Sequence, residues 1–239
     1  MHATIQKPIE EIVSYIKPGE KVFIVGCANC AAKCHSGGEA EVEKMAKRLR
    51  DRGIDVVGHN VPGPAGMSLC KLSHTQKVLQ EDCIEETSKA DSFLVLACGQ
   101  GVHTVIDATA GAMTHPGCDT IFGGETISDN EINEFCSLCG ECIIEFTGGL
   151  CPMTLCGKSL LNGPCGGAEN GKCEVDKDRD CGWVLIYERL KKLERLDLMT
   201  PYRDPKNYAK WSRPRSLKVS PHEATFCSQD GKVTVSNQE

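Results

Sequence analysis

The sequence predicts an α/β protein, in which a small doubly wound parallel-sheet domain is followed by a cysteine-rich domain of helices and irregular backbone. Short, β-branched apolar runs alternate with helical periodicity over residues 1–127. Beyond them glycines and cysteines replace the strand signals, and sixteen cysteines occur among the 239 residues. We therefore divide the chain into residues 1–127, residues 128–202 and an arm, residues 203–239.

The first domain is expected to alternate helices with strands. A helix over residues 8–17 is ended by Pro18-Gly19. Strands are predicted at residues 21–26, 54–58, 92–97 and 119–122, and further helices at residues 39–52, 76–90 and 101–110. Strands joined by helical crossovers pair in parallel, and ligands of such sheets bind at the carboxyl ends of the strands.

The remainder of the chain differs from the first domain in composition and in hydrophobic pattern. A short helix is predicted at residues 129–135, and a longer amphipathic helix at residues 181–199 after the cysteines. The apolar stripe of the longer helix consists of Trp183, Ile186, Tyr187, Leu190 and Leu193. The arm has no hydrophobic periodicity, so we expect it to be extended or partly disordered. We expect the stripe to pack on its own domain, with a partner surface as the alternative; the arm could dock on a partner or remain a solvated tail.

Composition excludes several classes of function. A net charge of −6 with 5% aromatic residues does not suit a nucleic-acid partner. No apolar run is long enough for membrane insertion, and Glu10 and Glu11 lie where a signal peptide would be basic and then apolar. We therefore expect a cytoplasmic protein. In a reducing compartment, closely spaced cysteines indicate metal ligands rather than disulfides.

The first cysteine group follows the first predicted strand. Cys27, Cys30 and Cys34 lie one helical turn apart, and free N–H groups at a helix amino end stabilise thiolates. A fourth ligand could come from Cys98, which ends a neighbouring strand, or from Cys70 in the loop after the second strand. The alternative is a set of small buried thiols.

The second group is Cys136-x2-Cys139-x2-Cys142. The repeated two-residue gap resembles the ferredoxin pattern, in which a later ligand precedes proline. Here Cys151-Pro152 follows at a longer distance than ferredoxins show. Zinc sites usually combine two such pairs or add histidine, so this triplet favours an iron–sulfur cluster.

The last cysteines are separated by glycines, which allow the backbone to wrap closely around sulfur. They are Cys151, Cys156, Cys165, Cys173 and Cys181. With the triplet they number eight, enough for two [4Fe–4S] clusters or for one cluster and one zinc ion. The sequence thus predicts two or three clusters in all, with zinc as the alternative at the last cysteines.

No catalytic residue and no cofactor-binding residue other than metal ligands is predicted. Cys27 occupies the turn in which a dinucleotide-binding sheet would carry its glycine motif. No Ser–His–Asp or paired-carboxylate pattern is found in the sequence. Any redox centre that exchanges electrons with the clusters should therefore be bound by a partner.

Several motifs resemble those of a known family. The segment 150–167, with Leu160-Leu161-Asn162-Gly163-Pro164-Cys165-Gly166-Gly167, resembles the carboxy-terminal module of microbial methylenetetrahydrofolate reductases, as do residues 170–175 and 181–198. Upstream, Gly26-Cys27-Ala28-Asn29-Cys30 to Cys34, Cys98-Gly99 and Cys136 to Cys142 resemble the separate small subunit of the acetogen-type enzyme, often called MetV. The resemblance covers residues 20–200 and does not extend into the arm.

This resemblance implies a non-catalytic small subunit of an oxidoreductase of one-carbon metabolism, as in the Wood–Ljungdahl pathway. It would pass electrons to the flavin of a separate TIM-barrel subunit, which reduces 5,10-methylenetetrahydrofolate to 5-methyltetrahydrofolate, and further electron-transfer subunits could join the complex. Two alternatives stay open: a structural zinc-binding scaffold subunit, and a cluster subunit of a heterodisulfide-reductase-like electron-transfer assembly.

Overall fold

The computed structural model describes residues 1–219, 223–228 and 231–236. The chain divides into two compact units, Met1–Asn133 and Glu134–Glu239. Each of the sixteen cysteines is a free thiol. Within the described residues, no helix combines the length and the apolar character that a membrane crossing requires.

The first unit is built on a parallel sheet of four strands, which confirms the predicted fold class. The strands are β2 (Lys21–Val25), β3 (Asp55–Asn60), β4 (Ser92–Val95) and β5 (Met113–Pro116). Their order across the sheet is β3-β2-β4-β5, and every neighbouring pair is parallel. The order reverses between β2 and β4, so the sheet is doubly wound and its switch point lies between these two strands.

Helices cover both faces of this sheet, as the alternating side chains of the central strands require. Val22 and Ile24 of β2 pack with α1 (Ile9–Tyr15) and α3 (Glu39–Arg50). Phe23 and Val25 point to the other face, where α6 (Gly99–Ala108) completes a second core. The short helices are α2 (Cys30–Lys33), α4 (Leu72–Lys77) and α5 (Ile84–Thr87). A π-helical turn over Val78–Asp82 interrupts the helix that was predicted at residues 76–90.

The fourth predicted strand exists, but its expected place in the parallel sheet was wrong. β6 (Cys118–Gly123) contains the predicted residues 119–122, but it pairs antiparallel with β1 (His2–Gln6) outside the main sheet. The fourth parallel strand is instead β5, which was not predicted because its sequence is polar although His115 within it is buried. His115 of β5 is only 2% exposed, and its Nε2 atom lies 3.0 Å from Glu20 Oε1. This hydrogen bond compensates for the burial of the polar ring.

The helix predicted at residues 129–135 is also absent from the described structure of this segment. β7 (Glu125–Ser128) and β8 (Glu131–Asn133) form an antiparallel hairpin there. Asp129-Asn130 lies at its turn, and both residue types favour turns through their side-chain hydrogen bonds.

The second unit contains a small core around α8 (Gly182–Lys192), which realises most of the amphipathic helix predicted at residues 181–199. Trp183, Ile186 and Leu190 are buried, whereas Tyr187 and Leu193 of the same predicted stripe are exposed. The Trp183 indole N–H donates to the Leu160 carbonyl over 3.1 Å. α7 (Pro152–Leu155) is the second α-helix of this unit.

The predicted arm contains some regular structure. A short 3₁₀ helix spans Tyr208–Trp211, and three strands form an antiparallel sheet: β9 (Ser216–Val219), β10 (Glu223–Ser228) and β11 (Gly231–Ser236). Residues 220–222, 229–230 and 237–239 of the arm lie outside the described residues.

Candidate metal centres

Three cysteines follow three adjacent strands of the parallel sheet. Cys27 lies two residues after β2, Cys98 three residues after β4, and Cys118 two residues after β5. Cys30 begins α2, and Cys34 caps its carboxyl end. The group therefore lies at the carboxyl edge of the sheet, beside the switch point, where doubly wound proteins bind their ligands.

The thiols of this group influence one another. The pKa of Cys98 is raised, first by burial and then by its neighbours Cys30 and Cys27. The backbone N–H groups of Gly101 and Gln100, at the amino end of α6, act in the opposite direction. These N–H groups would stabilise a thiolate ligand at this position, whereas burial favours the neutral thiol in the metal-free chain.

Cys118 is a member of this group that the sequence analysis missed. Its side chain is 5% exposed, and burial raises its pKa to about 12, with Asp119, Cys34 and Cys98 contributing in the same direction. Its thiol donates to the Ser36 carbonyl over 3.5 Å. The sequence does contain one signal for Cys118: the pair Gly117-Cys118 follows a strand, as Gly26-Cys27 does. The sequence analysis missed it because β5 was not recognised as a strand.

The loop that carries Cys70 packs beside the same edge. The Gly66 N–H donates to the Ala28 carbonyl over 2.8 Å, and Asn29 Nδ2 donates to Ser68 Oγ over 2.7 Å. Cys70 itself is exposed, whereas the pKa of Cys98 responds to Cys30 and Cys27 and that of Cys118 to Cys34 and Cys98. Cys98 and Cys118 are therefore better placed than Cys70 to complete the group.

In the second unit, four cysteines line one cavity of about 380 Å³. They are Cys136, Cys139, Cys142 and Cys151, so the structure places Cys151 with the triplet. Most of the other lining side chains are apolar: Phe135, Leu138, Ile143 and Ile144. The Leu138 N–H lies 3.4 Å from the Cys136 sulfur, toward which it can donate. An apolar cavity with four thiols and an inward N–H group fits a thiolate-bound cluster.

One side chain from the arm enters this cavity. Lys206 Nζ donates to Cys139 Sγ over 2.8 Å and to the Glu141 carbonyl oxygen. Burial alone would raise the pKa of Cys139, but the hydrogen bonds from Lys206 and the Glu141 backbone outweigh it, with the Lys206 charge acting in the same direction, and hold that pKa below its usual value. The cavity therefore already favours the thiolate form that a metal needs.

A strap, residues 203–215, lies over the cysteine loop. Asn207 N–H donates to Glu141 Oε2 over 2.6 Å, and Arg215 Nη1 donates to the Leu138 carbonyl over 3.0 Å. Gly140 has a φ of +82°, and a Cβ there would lie 3.0 Å from the backbone and side chain of Lys210. Glycine is thus required both by the turn and by the close approach of the strap.

The remaining cysteines of the second unit lie near α7 and α8. The N–H of Val175 holds the pKa of Cys173 below its usual value; burial opposes this, whereas Asp176, Gly157 and Arg179 support it. Cys173 N–H donates to the Arg179 carbonyl over 2.9 Å, and Cys181 N–H donates to the Gly171 carbonyl over 2.8 Å. Cys156 packs against the core that contains Cys181, and the backbone of the adjacent Gly157 approaches Cys173, whereas Cys165 is exposed.

In the described part of the chain, no three Cys, His, Asp or Glu side chains converge closely enough to hold a metal ion as they stand. The three groups nevertheless fit thiolate-bound metals by their donor chemistry. Each offers several thiols, and in each a backbone N–H group lies close to a sulfur. The ligand sets themselves stay predictions.

Comparison with known proteins supports part of this interpretation. Residues 115–209 match the model of a family described as Methylene-tetrahydrofolate reductase C terminal. No curated protein and no solved structure matches the chain. The match includes the second and third cysteine groups and confirms their similarity to the reductase C-terminal region. The resemblance of the preceding residues to MetV stays a prediction.

Proposed function

We propose that this chain is an iron–sulfur electron-transfer subunit of a methylenetetrahydrofolate reductase complex. The observation that carries the proposal is the cavity of the second unit, in which four cysteines meet within the segment similar to the reductase C-terminal region. The reaction would take place on a separate, flavin-bearing TIM-barrel subunit. Residues of this chain would hold and tune clusters without contacting folate.

In this proposal, Cys136, Cys139, Cys142 and Cys151 hold a [4Fe–4S] cluster, and Cys98 and Cys118 act with two or more of Cys27, Cys30 and Cys34 at the sheet edge. Such clusters, when bound, accept and donate single electrons at potentials set by hydrogen bonding and exposure. The cavity walls are mostly apolar, whereas Cys136 and Cys142 are exposed to solvent. The N–H groups at Cys98 and Cys136 stabilise negative charge on the thiolates.

A second candidate function applies to the last group. The N–H groups directed at Cys173 would stabilise a thiolate ligand of any metal, and four cysteines remain for it: Cys156, Cys165, Cys173 and Cys181. Four cysteines are a complete ligand set for structural zinc. We propose that this group holds either a further cluster or a zinc ion that supports α8. Zinc and iron content of a Cys173→Ser variant identifies which metal leaves.

The proposal is tested by the transfer of electrons to the partner. The chain, purified without oxygen and reduced with dithionite, is freed of excess reductant and mixed with an oxidised, flavin-bearing reductase barrel subunit. The flavin absorbance should fall when this chain is present and persist when it is absent. A barrel subunit that binds the chain but keeps its flavin oxidised would favour the zinc scaffold; binding to a heterodisulfide-reductase-like assembly instead would favour the other alternative.

A further inference from the structure

Lys206 is buried to a degree that is unusual for lysine. Its residue exposure is 7%, although lysine is almost never fully buried without a charged partner. Its described partners are the Cys139 sulfur and the Glu141 carbonyl oxygen, and neither is a carboxylate. A desolvated ammonium is costly unless negative charge lies close by. That negative charge would come from the thiolate of Cys139 and from the cluster that the cysteines of this site bind.

The strap fixes the position of this ammonium from both sides. Arg203 is tied to Asn162 by two hydrogen bonds, of 2.9 Å and 2.8 Å, and its guanidinium lies 4.7 Å from the centre of the Phe146 ring. After Lys206, Asn207 is bound to Glu141 and Arg215 to Leu138. The backbone on either side of Lys206 is therefore held, so its ammonium is directed at one sulfur rather than free to sample solvent.

We propose that Lys206 is a positioning and tuning residue of the second cysteine site, where its positive charge at the Cys139 sulfur raises the reduction potential of the cluster held there. This inference rests on the proposed function. A cluster gains negative charge when it accepts an electron, so a fixed cation nearby stabilises the reduced form more than the oxidised form. The effect should be large because the ammonium is itself buried and lies 2.8 Å from the sulfur, so solvent screens its charge weakly at that contact.

The strap thus has a role beyond the docking that the sequence suggested for it, which stays a prediction. Three of its basic residues contact the cysteine loop of their own chain: Lys206, Lys210 and Arg215. Residues 203–215 close the site rather than extend from it. The reduction potential of a cluster at the second site would then depend on whether the strap lies over the cysteine loop.

The test uses the full chain with three single substitutions. Lys206→Met removes the charge and keeps the length of the side chain, and Lys206→Arg keeps the charge. Lys210→Met is the matched control, because it removes the same charge from the same strap at a position where Nζ lies 4.0 Å from Glu141 Oε1 and the described contacts include no sulfur. The readout is the midpoint potential of the paramagnetic resonance signal that Cys139→Ser abolishes, together with iron content.

We expect Lys206→Met to make the potential more negative by at least a tenfold change in the redox equilibrium, about 59 mV for one electron. Lys206→Arg and Lys210→Met should shift it less. Loss of iron from this site in Lys206→Met but not in Lys206→Arg also supports the proposal, because the charge is then needed to retain the cluster.

Two results would overturn the inference. One is an iron-loaded Lys206→Met variant with the wild-type potential. The other is loss of iron from this site in both Lys206 variants, since strap packing and not charge would then be decisive. Either result leaves the proposed function standing, because the wild-type chain would still carry the cluster. A wild-type site that holds zinc instead of iron would refute both.

Discussion

Replacing Cys118 by serine tests whether the thiols at the sheet edge form one metal site. Cys118 lies among Cys34 and Cys98, and sequence patterns alone did not select it. If it is a ligand, the Cys118→Ser chain, purified without oxygen, should contain about four fewer iron atoms, the content of one [4Fe–4S] cluster. The assay is iron and acid-labile sulfide per chain.

The structure also limits how far this substitution should perturb folding. Cys118 is 5% exposed and packs in the core that includes Ile12 and Leu94, so serine places a hydroxyl in an apolar site. The hydroxyl can still donate to the Ser36 carbonyl, as the thiol does. We expect a cost of about 1–2 kcal/mol, or a fall in Tm of about 2–8 °C for the metal-free chain.

Two matched variants make the result specific. Cys83 belongs to the same unit, is half-buried, and has a pKa raised first by burial and then by Glu86 and Asp82. Cys83→Ser should therefore leave iron unchanged, and so should Cys70→Ser if Cys118 rather than Cys70 completes the site. Full iron content in Cys118→Ser, or an equal loss in Cys83→Ser, would refute the assignment.

Two further predictions concern stability. Trp183→Ala should destabilise the second unit by about 3–5 kcal/mol, because Trp183 is 2% exposed and its indole N–H is bonded to the Leu160 carbonyl. Thermal unfolding measures this loss. The control is Tyr187→Ala, which removes an exposed ring of the same helix and should cost much less. Burial would raise the pKa of Glu20, but the hydrogen bonds from His115 and the Lys17 N–H outweigh it and lower that pKa. The stability that Glu20 contributes is therefore present above its unfolded pKa of about 4.3 and is lost as the pH falls through the lower, folded value. In urea unfolding, Glu20→Gln should be less stable than the wild type at pH 7 and should approach it near pH 3; a constant difference across this range would contradict the argument.

The sequence predicted the sheet where the strands are apolar. The runs that became β2 and β4 are continuous apolar segments, as expected of parallel strands buried on both faces. It failed at β5, because half-buried Thr114 and buried His115 give no hydrophobic signal, and the burial of His115 depends on its tertiary partner Glu20. The β7–β8 hairpin was missed because its strands are short and largely exposed.

The same distinction holds for the candidate sites. Spacing was enough to identify Cys136, Cys139 and Cys142, since neighbouring turns of one loop bring them to one cavity. Spacing could not identify Cys118 or Lys206, which reach their groups from distant parts of the sequence. The composition of the arm predicted a solvated or partner-bound segment around Lys206. In the structure this segment packs on its own chain, because Gly140 allows its close approach and the Glu141 carboxylate accepts a hydrogen bond from it.

The central claim is that this chain delivers electrons to a flavin held by a partner, and flavin reduction tests it most directly. The dithionite-reduced chain, freed of excess reductant, is mixed anaerobically with the oxidised barrel subunit while flavin absorbance is followed. The wild-type and Cys83→Ser chains should bleach the flavin, whereas Cys139→Ser should lose most of this ability. If iron-loaded wild-type chain leaves the flavin oxidised, or if Cys139→Ser transfers electrons as well as the wild type, the proposed role of the second cysteine site is contradicted.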